Sequence, residues 1–180
     1  MKLEHEAGLV EAVLFLESEP LELNLLAKAT ELSKEVVIEA LAQLREEYSR
    51  PEHGLEIAEI AGGYAFVPKA ELWVKLRERY GKKNEHRLSR AALETLAIVA
   101  YSQPITRGEI ENIRGVQADT MIRQLIARNL IREVGKKDAP GKPTQYGTTK
   151  DFLKIFHLSS IADLPKLGEI DQERFRLDGE

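Results

Sequence analysis

Residues 88–130, LSRAALETLAIVAYSQPITRGEIENIRGVQADTMIRQLIARNL, decide the fold. Leu93, Leu96, Val99 and Ala100 recur at helical spacing, so one face of a first helix is built for burial, and Ser89 stands where its N-cap belongs. Pro104 cannot continue that helix. Thr106-Arg107-Gly108-Glu109 then reads as a capping box, in which the Thr106 hydroxyl and the Glu109 carboxylate each satisfy an orphan backbone N–H of a second helix. Gly115 suits the left-handed turn that ends it. Asp119 is placed to cap a third helix that turns Ile122, Leu125 and Ile126 inward and Arg123, Gln124 and Arg128 outward, before Asn129 closes it. Three short helices with tight turns are common to DNA readers and protein-docking modules, so the pattern fixes architecture before function.

Outward from this stretch, the same order of elements appears twice. In the first half, Leu9, Val10, Val13, Leu14 and Leu16 form the apolar side of an opening helix that Pro20 stops. Leu25, Leu26 and Ala29 mark a second helix ending near Leu32. Ser33 caps a third, with Val36, Val37, Ala40, Leu41 and Leu44 inward. A hairpin follows from Leu55–Ile60 and Tyr64–Val67, with Gly62-Gly63 supplying the positive φ of its turn. Pro68 opens a closing helix, with Leu72, Leu76 and Trp73 turned inward and Gly81 as its stop. After residue 130 the second half continues with a strand at 130–134, a Lys/Gly/Pro-rich loop from Gly135 to Pro143, and a return strand at Gln145–Thr148. A helix capped by Thr148 with Asp151 follows, carrying Phe152, Leu153 and Phe156.

Ser18-Glu19-Pro20-Leu21 falls over Ser102-Gln103-Pro104-Ile105, and Tyr64–Leu72 over Tyr146–Leu153. The expected fold is therefore mainly α with small β wings, as two tandem winged-helix domains at 1–81 and 88–158. A solvated linker joins them at 82–87, and a tail at 159–180 becomes disordered after about residue 168.

Charge is divided along the chain. Residues 1–86 hold 11 Lys+Arg against 17 Asp+Glu, residues 87–158 hold 12 against 7, and residues 159–180 hold 3 against 6. An acidic first half opposes a DNA clamp made of the whole molecule, because phosphate contacts rely on cations displacing condensed counterions. The basic second half leaves DNA open locally: Arg123, Gln124 and Arg128 would meet the major groove, and Lys136, Lys137 and Lys142 on the wing would meet phosphates. Glu133 and Asp138 dilute that wing. There are no cysteines, which excludes a disulfide framework and thiolate chemistry. An acidic N-terminus without a long apolar run leads to the expectation of a soluble cytoplasmic protein without a membrane anchor.

Catalytic and cofactor patterns are missing. His5, His53, His86 and His157 are scattered beyond metal-ligand spacing, so no metal site is expected. Gly135–Lys142 is superficially a phosphate loop, but five residues separate Gly135 from Gly141, and Pro143 stands where Ser or Thr is required. Carboxylate pairs such as Glu46-Glu47 and Glu109/Glu111 fall on charged helix faces, and no nucleophile elbow is present. Neither an enzyme nor a cofactor is expected. Trp73 and Tyr80 fit either intradomain packing or aromatic anchors of a protein interface. Ile161, Leu164 and Leu167 form an apolar cluster that either folds back on the second domain or binds a partner.

Several separated motifs, in order, resemble the segregation and condensation protein B family. They are Leu88 to Tyr101, Gln103-Pro104-Ile105-Thr106-Arg107, Ile113-Arg114-Gly115-Val116, Tyr146-Gly147-Thr148-Thr149 with Phe152-Leu153, Gly62-Gly63-Tyr64, and Asp163-Leu164-Pro165. The likeness spans about residues 7–167. It departs at the wing, where Gly141-Lys142-Pro143-Thr144-Gln145 replaces Gly-Arg-Pro followed by an aliphatic residue.

The resemblance implies a non-enzymatic subunit of the bacterial condensin-like complex, acting in chromosome condensation and segregation at the nucleoid. It implies a homodimer formed mainly through the N-terminal winged helix. Its partner would be the central region of the kleisin, segregation and condensation protein A, which in turn engages the SMC ATPase. Leu72, Trp73, Leu76, Arg123, Arg128, Ile161, Leu164 and Leu167 are the partner-binding candidates. The competing reading is a winged-helix transcription regulator that uses Arg123, Gln124, Arg128 and the wing lysines.

Overall fold

The computed structural model describes residues 3–80 and 88–166. The expected linker at 82–87, Gly81, His86, Leu167 and the rest of the tail lie outside the described residues. The chain divides into two compact units, Met1–Ser89 and Arg90–Glu180.

The first unit runs α1 (Glu4–Leu16), β1 (Leu21–Glu22), α2 (Leu23–Thr30), α3 (Lys34–Tyr48), β2 (Leu55–Ile60), β3 (Gly63–Pro68) and α4 (Ala70–Tyr80). The second runs α5 (Arg90–Ser102), β4 (Ile105–Thr106), α6 (Arg107–Arg114), α7 (Asp119–Ala127), β5 (Ile131–Lys136), β6 (Thr144–Thr148), α8 (Lys150–Ile155) and a 3-10 turn at Ile161–Asp163. Each unit is a winged helix. The antiparallel sheets are ordered β1-β3-β2 and β4-β6-β5. Leu21 pairs with Tyr64 in the first and Ile105 with Tyr146 in the second, so positions matched by sequence occupy the same sheet register.

The core of the first unit is Val10 and Leu14 of α1, Leu26 of α2, and Val37, Ala40, Leu41 and Leu44 of α3, closed by Ile57 of the wing. Removing these side chains from water is the main stabilising term. Ser33 caps α3 as expected, its hydroxyl accepting the Val36 N–H at 3.3 Å. Three expectations are corrected here. Leu16 is 79% exposed and Leu25 51% exposed, while Leu23, Leu26, Ala27 and Thr30 form the inner side of α2 and Ala29 faces solvent. Thr30 is tolerated inside because its hydroxyl donates to the Leu26 carbonyl at 2.7 Å. The hairpin turn takes positive φ at Ala61 and Gly62 rather than at Gly63. Gly63 is instead the first residue of β3, where a Cβ would lie 2.8 Å from the Pro20 carbonyl carbon, so the missing side chain admits β1.

In the second unit, Ala92, Thr95, Leu96, Val99 and Ala100 are the buried stripe of α5, whereas Leu93 is 47% exposed. Thr95 takes the inward place because its hydroxyl is satisfied by the Ala91 carbonyl at 2.8 Å. The capping box of α6 forms as read: Glu109 N–H reaches the Thr106 hydroxyl, and Thr106 N–H reaches the Glu109 carboxylate. Gly115 ends α6 at φ 72.

Ile122 and Leu125 of α7 are buried, but Ile126 is exposed. Asn129, at φ 55, closes this helix: its N–H bonds the Ile126 carbonyl while Leu130 N–H bonds Leu125. Strand β5 runs through Gly135 to Lys136, beyond the expected loop start, because a bulge between Glu133 and Gly135 lets the ladder continue. The cap of α8 is Thr149, not Thr148. Thr149 Oγ1 accepts the Phe152 N–H at 3.1 Å, while Thr148 is held by Gln103.

Candidate partner-binding surfaces

Helix α4 is anchored at its start and keeps several apolar side chains partly exposed beyond it. Lys69 N–H donates to the Gly54 carbonyl at 3.1 Å, and Lys69 Nζ donates to the Arg50 carbonyl at 2.6 Å, so the chain enters the helix tied to the α3–β2 loop. Beyond that, Leu72, Trp73, Val74, Leu76 and Tyr80 all reach solvent, with Trp73 40% exposed. The expected inward packing of Leu72, Trp73 and Leu76 is therefore only partial, with 37%, 40% and 37% of their surfaces left exposed. This helix of 11 residues carries an apolar stripe that the described residues of its own unit cover only in part: Leu72 packs toward Gly54, whose Cβ position lies 3.3 Å from Leu72 Cδ1, while Val74 and Tyr80 are 60% and 64% exposed. Arg79 lies over the Tyr80 ring at 5.9 Å.

A second surface of this unit escapes the sequence pattern. A shallow groove runs between α1 and the wing, lined by Gly8, Ala12, Phe15, Tyr48, Leu55 and Phe66. Phe15 is 77% exposed at its edge. At its floor the Tyr48 hydroxyl donates to the Glu11 carboxylate, which, with burial, pushes the Tyr48 pKa up to about 12. The only signal in the sequence was Phe15 itself, an aromatic one position off the buried stripe of α1.

In the second unit the outward face of α7 is largely self-neutralised. The Asp119 carboxylate pairs with Arg123 and lies 3.4 Å from Arg107 Nη1, while Arg107 Nε is 3.8 Å from Glu111. Asp119 is therefore the first residue of α7 rather than its cap. Ala118 holds the cap position, and its N–H is satisfied by the Glu111 carboxylate at 3.1 Å. Arg123 is exposed, whereas Gln124 and Arg128 are half-buried.

On the wing, Lys137 pairs with Glu109, and Lys136 and Lys142 are exposed. The Lys137 ammonium, with the Thr106 N–H and hydroxyl, lowers the Glu109 pKa to about 2. Burial, then the nearby Glu133 charge, raises that of Tyr146. The structure thus does not bring Arg123, Gln124, Arg128 and the three lysines together as one free cationic face.

Leu93, Ile113 and Val116 are exposed apolar residues of this unit. Between the last two, the Arg114 side chain is only 6% exposed, with Nε 3.7 Å from Glu94 and Nη1 donating to the Gln117 carbonyl at 3.1 Å. Ile113 and Val116 fell within the motif that carries the family likeness, which was the available signal for them. Ile161 and Leu164 are half-buried in a segment folded back on α5, where Tyr101 hydroxyl donates to the Pro165 carbonyl at 2.8 Å and Ser160 with Asp163 caps the 3-10 turn. Among the described residues no group of His, Asp and Glu is arranged to hold a metal ion, and no helix is long and apolar enough to cross a membrane.

Comparison with known proteins places these surfaces in a family. Residues 8–167 match the family model described as segregation and condensation complex subunit ScpB. The segregation and condensation protein B of Desulforamulus reducens is 43% identical over 171 residues, covering 95% of this chain and 91% of that protein. That of Moorella thermoacetica is 44% identical over 161 residues, covering 89% and 82%. The crystal structure of ScpB from Mycobacterium tuberculosis shares 32% identity and covers 88% of this chain and 98% of its own, at a TM-score of 0.41. With a family model spanning most of the sequence and relatives above 40% identity over nearly their whole length, the chain belongs to the family of segregation and condensation complex subunit ScpB.

Proposed function

We propose that this protein is a non-enzymatic scaffold subunit of the bacterial condensin-like complex. As a homodimer it binds the central segment of the kleisin, segregation and condensation protein A, and through it serves the SMC ATPase in chromosome condensation and segregation at the nucleoid. The observation that carries the reading is the partly exposed apolar side of α4 in a chain of this family. Leu72, Trp73 and Leu76 keep 37–40% of their surface exposed outside the buried core, and aromatic and aliphatic anchors of this kind characterise protein interfaces. In this reading the first unit makes the dimer. The second, with Arg123, Arg128, Ile161, Leu164 and Leu167, takes the kleisin.

The test is titration calorimetry of the full chain against the kleisin's central segment at micromolar concentration, beside light scattering of the chain alone. Saturable heat and a two-chain mass are expected. Absence of heat refutes the kleisin reading, and a one-chain mass at all concentrations refutes the dimer.

A winged-helix regulator remains the second reading, favoured by the exposed Lys136 and Lys142. Against it, Asp119 and Glu109 already neutralise Arg123 and Lys137, so direct DNA contact in our proposal is weak or indirect.

A further inference from the structure

The face of the second unit that joins the start of α7 to the wing is where a winged helix would meet a duplex, and in this chain its cations are tied to carboxylates. We infer that this face is a binding site for the phosphates of duplex DNA, kept masked by Glu109 and Asp119. Such an activity goes beyond the scaffold role proposed above and does not depend on it.

Three parts of the unit bring the charges together. Arg107 and Glu109 lie in the first turn of α6, Asp119 opens α7 with Arg123 one turn on, and Glu133 faces Tyr146 across the β5–β6 ladder. The Tyr146 hydroxyl senses Glu133, Arg107 and Asp119 at once, so the starts of α6 and α7 share a face with the wing strands. The wing loop reaches the same face through Lys137, whose ammonium pairs with Glu109. Its tip is a closed turn: Lys137 N–H donates to the Pro143 carbonyl at 2.9 Å, and Lys142 N–H to the Ala139 carbonyl at 2.8 Å. Lys136 and Lys142 flank that turn, both exposed.

The ion pairs act as a mask rather than a brace. The side chains of Arg123, Asp119, Lys137 and Glu109 are all exposed, and ion pairs in that setting are screened by solvent and add little to stability. What they remove is cation count, because a lysine or arginine neutralised by its own chain displaces no counterion from DNA. Of Arg123, Lys136, Lys137 and Lys142, the two lysines at 136 and 142 are left to meet phosphates. Glutamine also fills the third position of a capping box, so the start of α6 does not require the charge that holds Lys137. Arg107 keeps its pair with Glu111 whatever becomes of Asp119.

The salt dependence of binding counts the phosphates met, so it reads the mask directly. Fluorescence anisotropy of the full chain is followed with a labelled duplex of about 20 base pairs between about 50 and 200 mM salt. In Glu109→Gln/Asp119→Asn the two released cations should steepen the slope of log K against log salt by about 2 and tighten binding at the lowest salt roughly tenfold, with the circular dichroism unchanged. Adding Lys137→Ala and Arg123→Ala to that chain should restore the native slope. A control, Glu39→Gln/Glu46→Gln, sheds the same charge from exposed positions of α3 and should bind as the native chain does.

A double variant with the native slope overturns the inference, as does a control that steepens equally or a steep slope that survives the loss of Lys137 and Arg123. Should Glu109→Gln disturb α6, Asp119→Asn alone carries the test, with an expected steepening of about 1. No kleisin enters the measurement, so failure here leaves the scaffold reading standing.

Discussion

Lys137, at the base of the second wing loop, closes onto Glu109, the residue that completes the capping box of α6. A loop cation thereby reports to a helix start. The Glu109 pKa is lowered to about 2 from an ordinary 4.5, so its contribution to folding is fully present above the unfolded value and is lost as pH falls from about 4.5 to 2. Chemical denaturation across that window should show stability falling with pH, less steeply in Glu109→Gln and less steeply at high salt, since the pair is exposed. An identical slope in Glu109→Gln would remove Glu109 from the acid response.

Trp73 and Leu44 are both large apolar residues, yet their substitutions should separate. Leu44 is fully buried in the first core, so Leu44→Ala should cost about 2–5 kcal/mol of stability in urea titration. Trp73→Ala should change the stability of the dissociated chain by less than about 1 kcal/mol while weakening self-association by about 2 kcal/mol, measured by sedimentation equilibrium. A large loss of single-chain stability in Trp73→Ala would mean that α4 packs within its own unit.

Gly63 and Gly8 make a similar pair. Gly63→Ala would drive a Cβ into the Pro20 backbone and should destabilise by about 1–3 kcal/mol. Gly8→Ala, with open space around it in the interior of α1, should stabilise the single chain by about 0.5–1 kcal/mol. Thermal melts of the two variants at a concentration below dimerisation should move in opposite directions.

Asp119 restrains Arg123 and Arg107. In gel shifts across a salt series, the native chain should bind DNA weakly and without sequence preference, and Asp119→Asn should bind more tightly by releasing Arg123, while Arg107 keeps its pair with Glu111. Sequence-selective binding by the native chain with a steep salt dependence would instead favour the transcription regulator.

Much of the fold was legible because it is punctuated by residues with few alternatives. Ser33, the Thr106/Glu109 box, Gly115 and Asn129 all sit where the sequence placed them, and the matched Leu21/Ile105 and Tyr64/Tyr146 positions became equivalent strand pairs. What the sequence could not supply was which residues along a stripe are covered. Thr30 and Thr95 are buried because a hydroxyl can bond the preceding turn, so counting apolar residues alone placed Leu25, Ala29 and Leu93 inward.

Asp119 was misread for a related reason: its carboxylate lies 3.4 Å from Arg107 Nη1 and pairs with Arg123, so cations rather than backbone N–H groups occupy it. The candidate surface was the least legible part. Periodicity in α4 announces a face to be covered but is silent on whether the cover comes from the same chain.

The two closing helices have parted company: Phe152 of α8 is buried in its own core, while α4 leaves Leu72, Trp73, Val74, Leu76 and Tyr80 between 37% and 64% exposed. Substitutions along α4 should therefore pass through any selection for expression, solubility or heat resistance of the lone chain and fail only when the complex must assemble. On the proposed function, a lesion there would produce an abundant, well-folded protein in a cell that cannot partition its chromosomes.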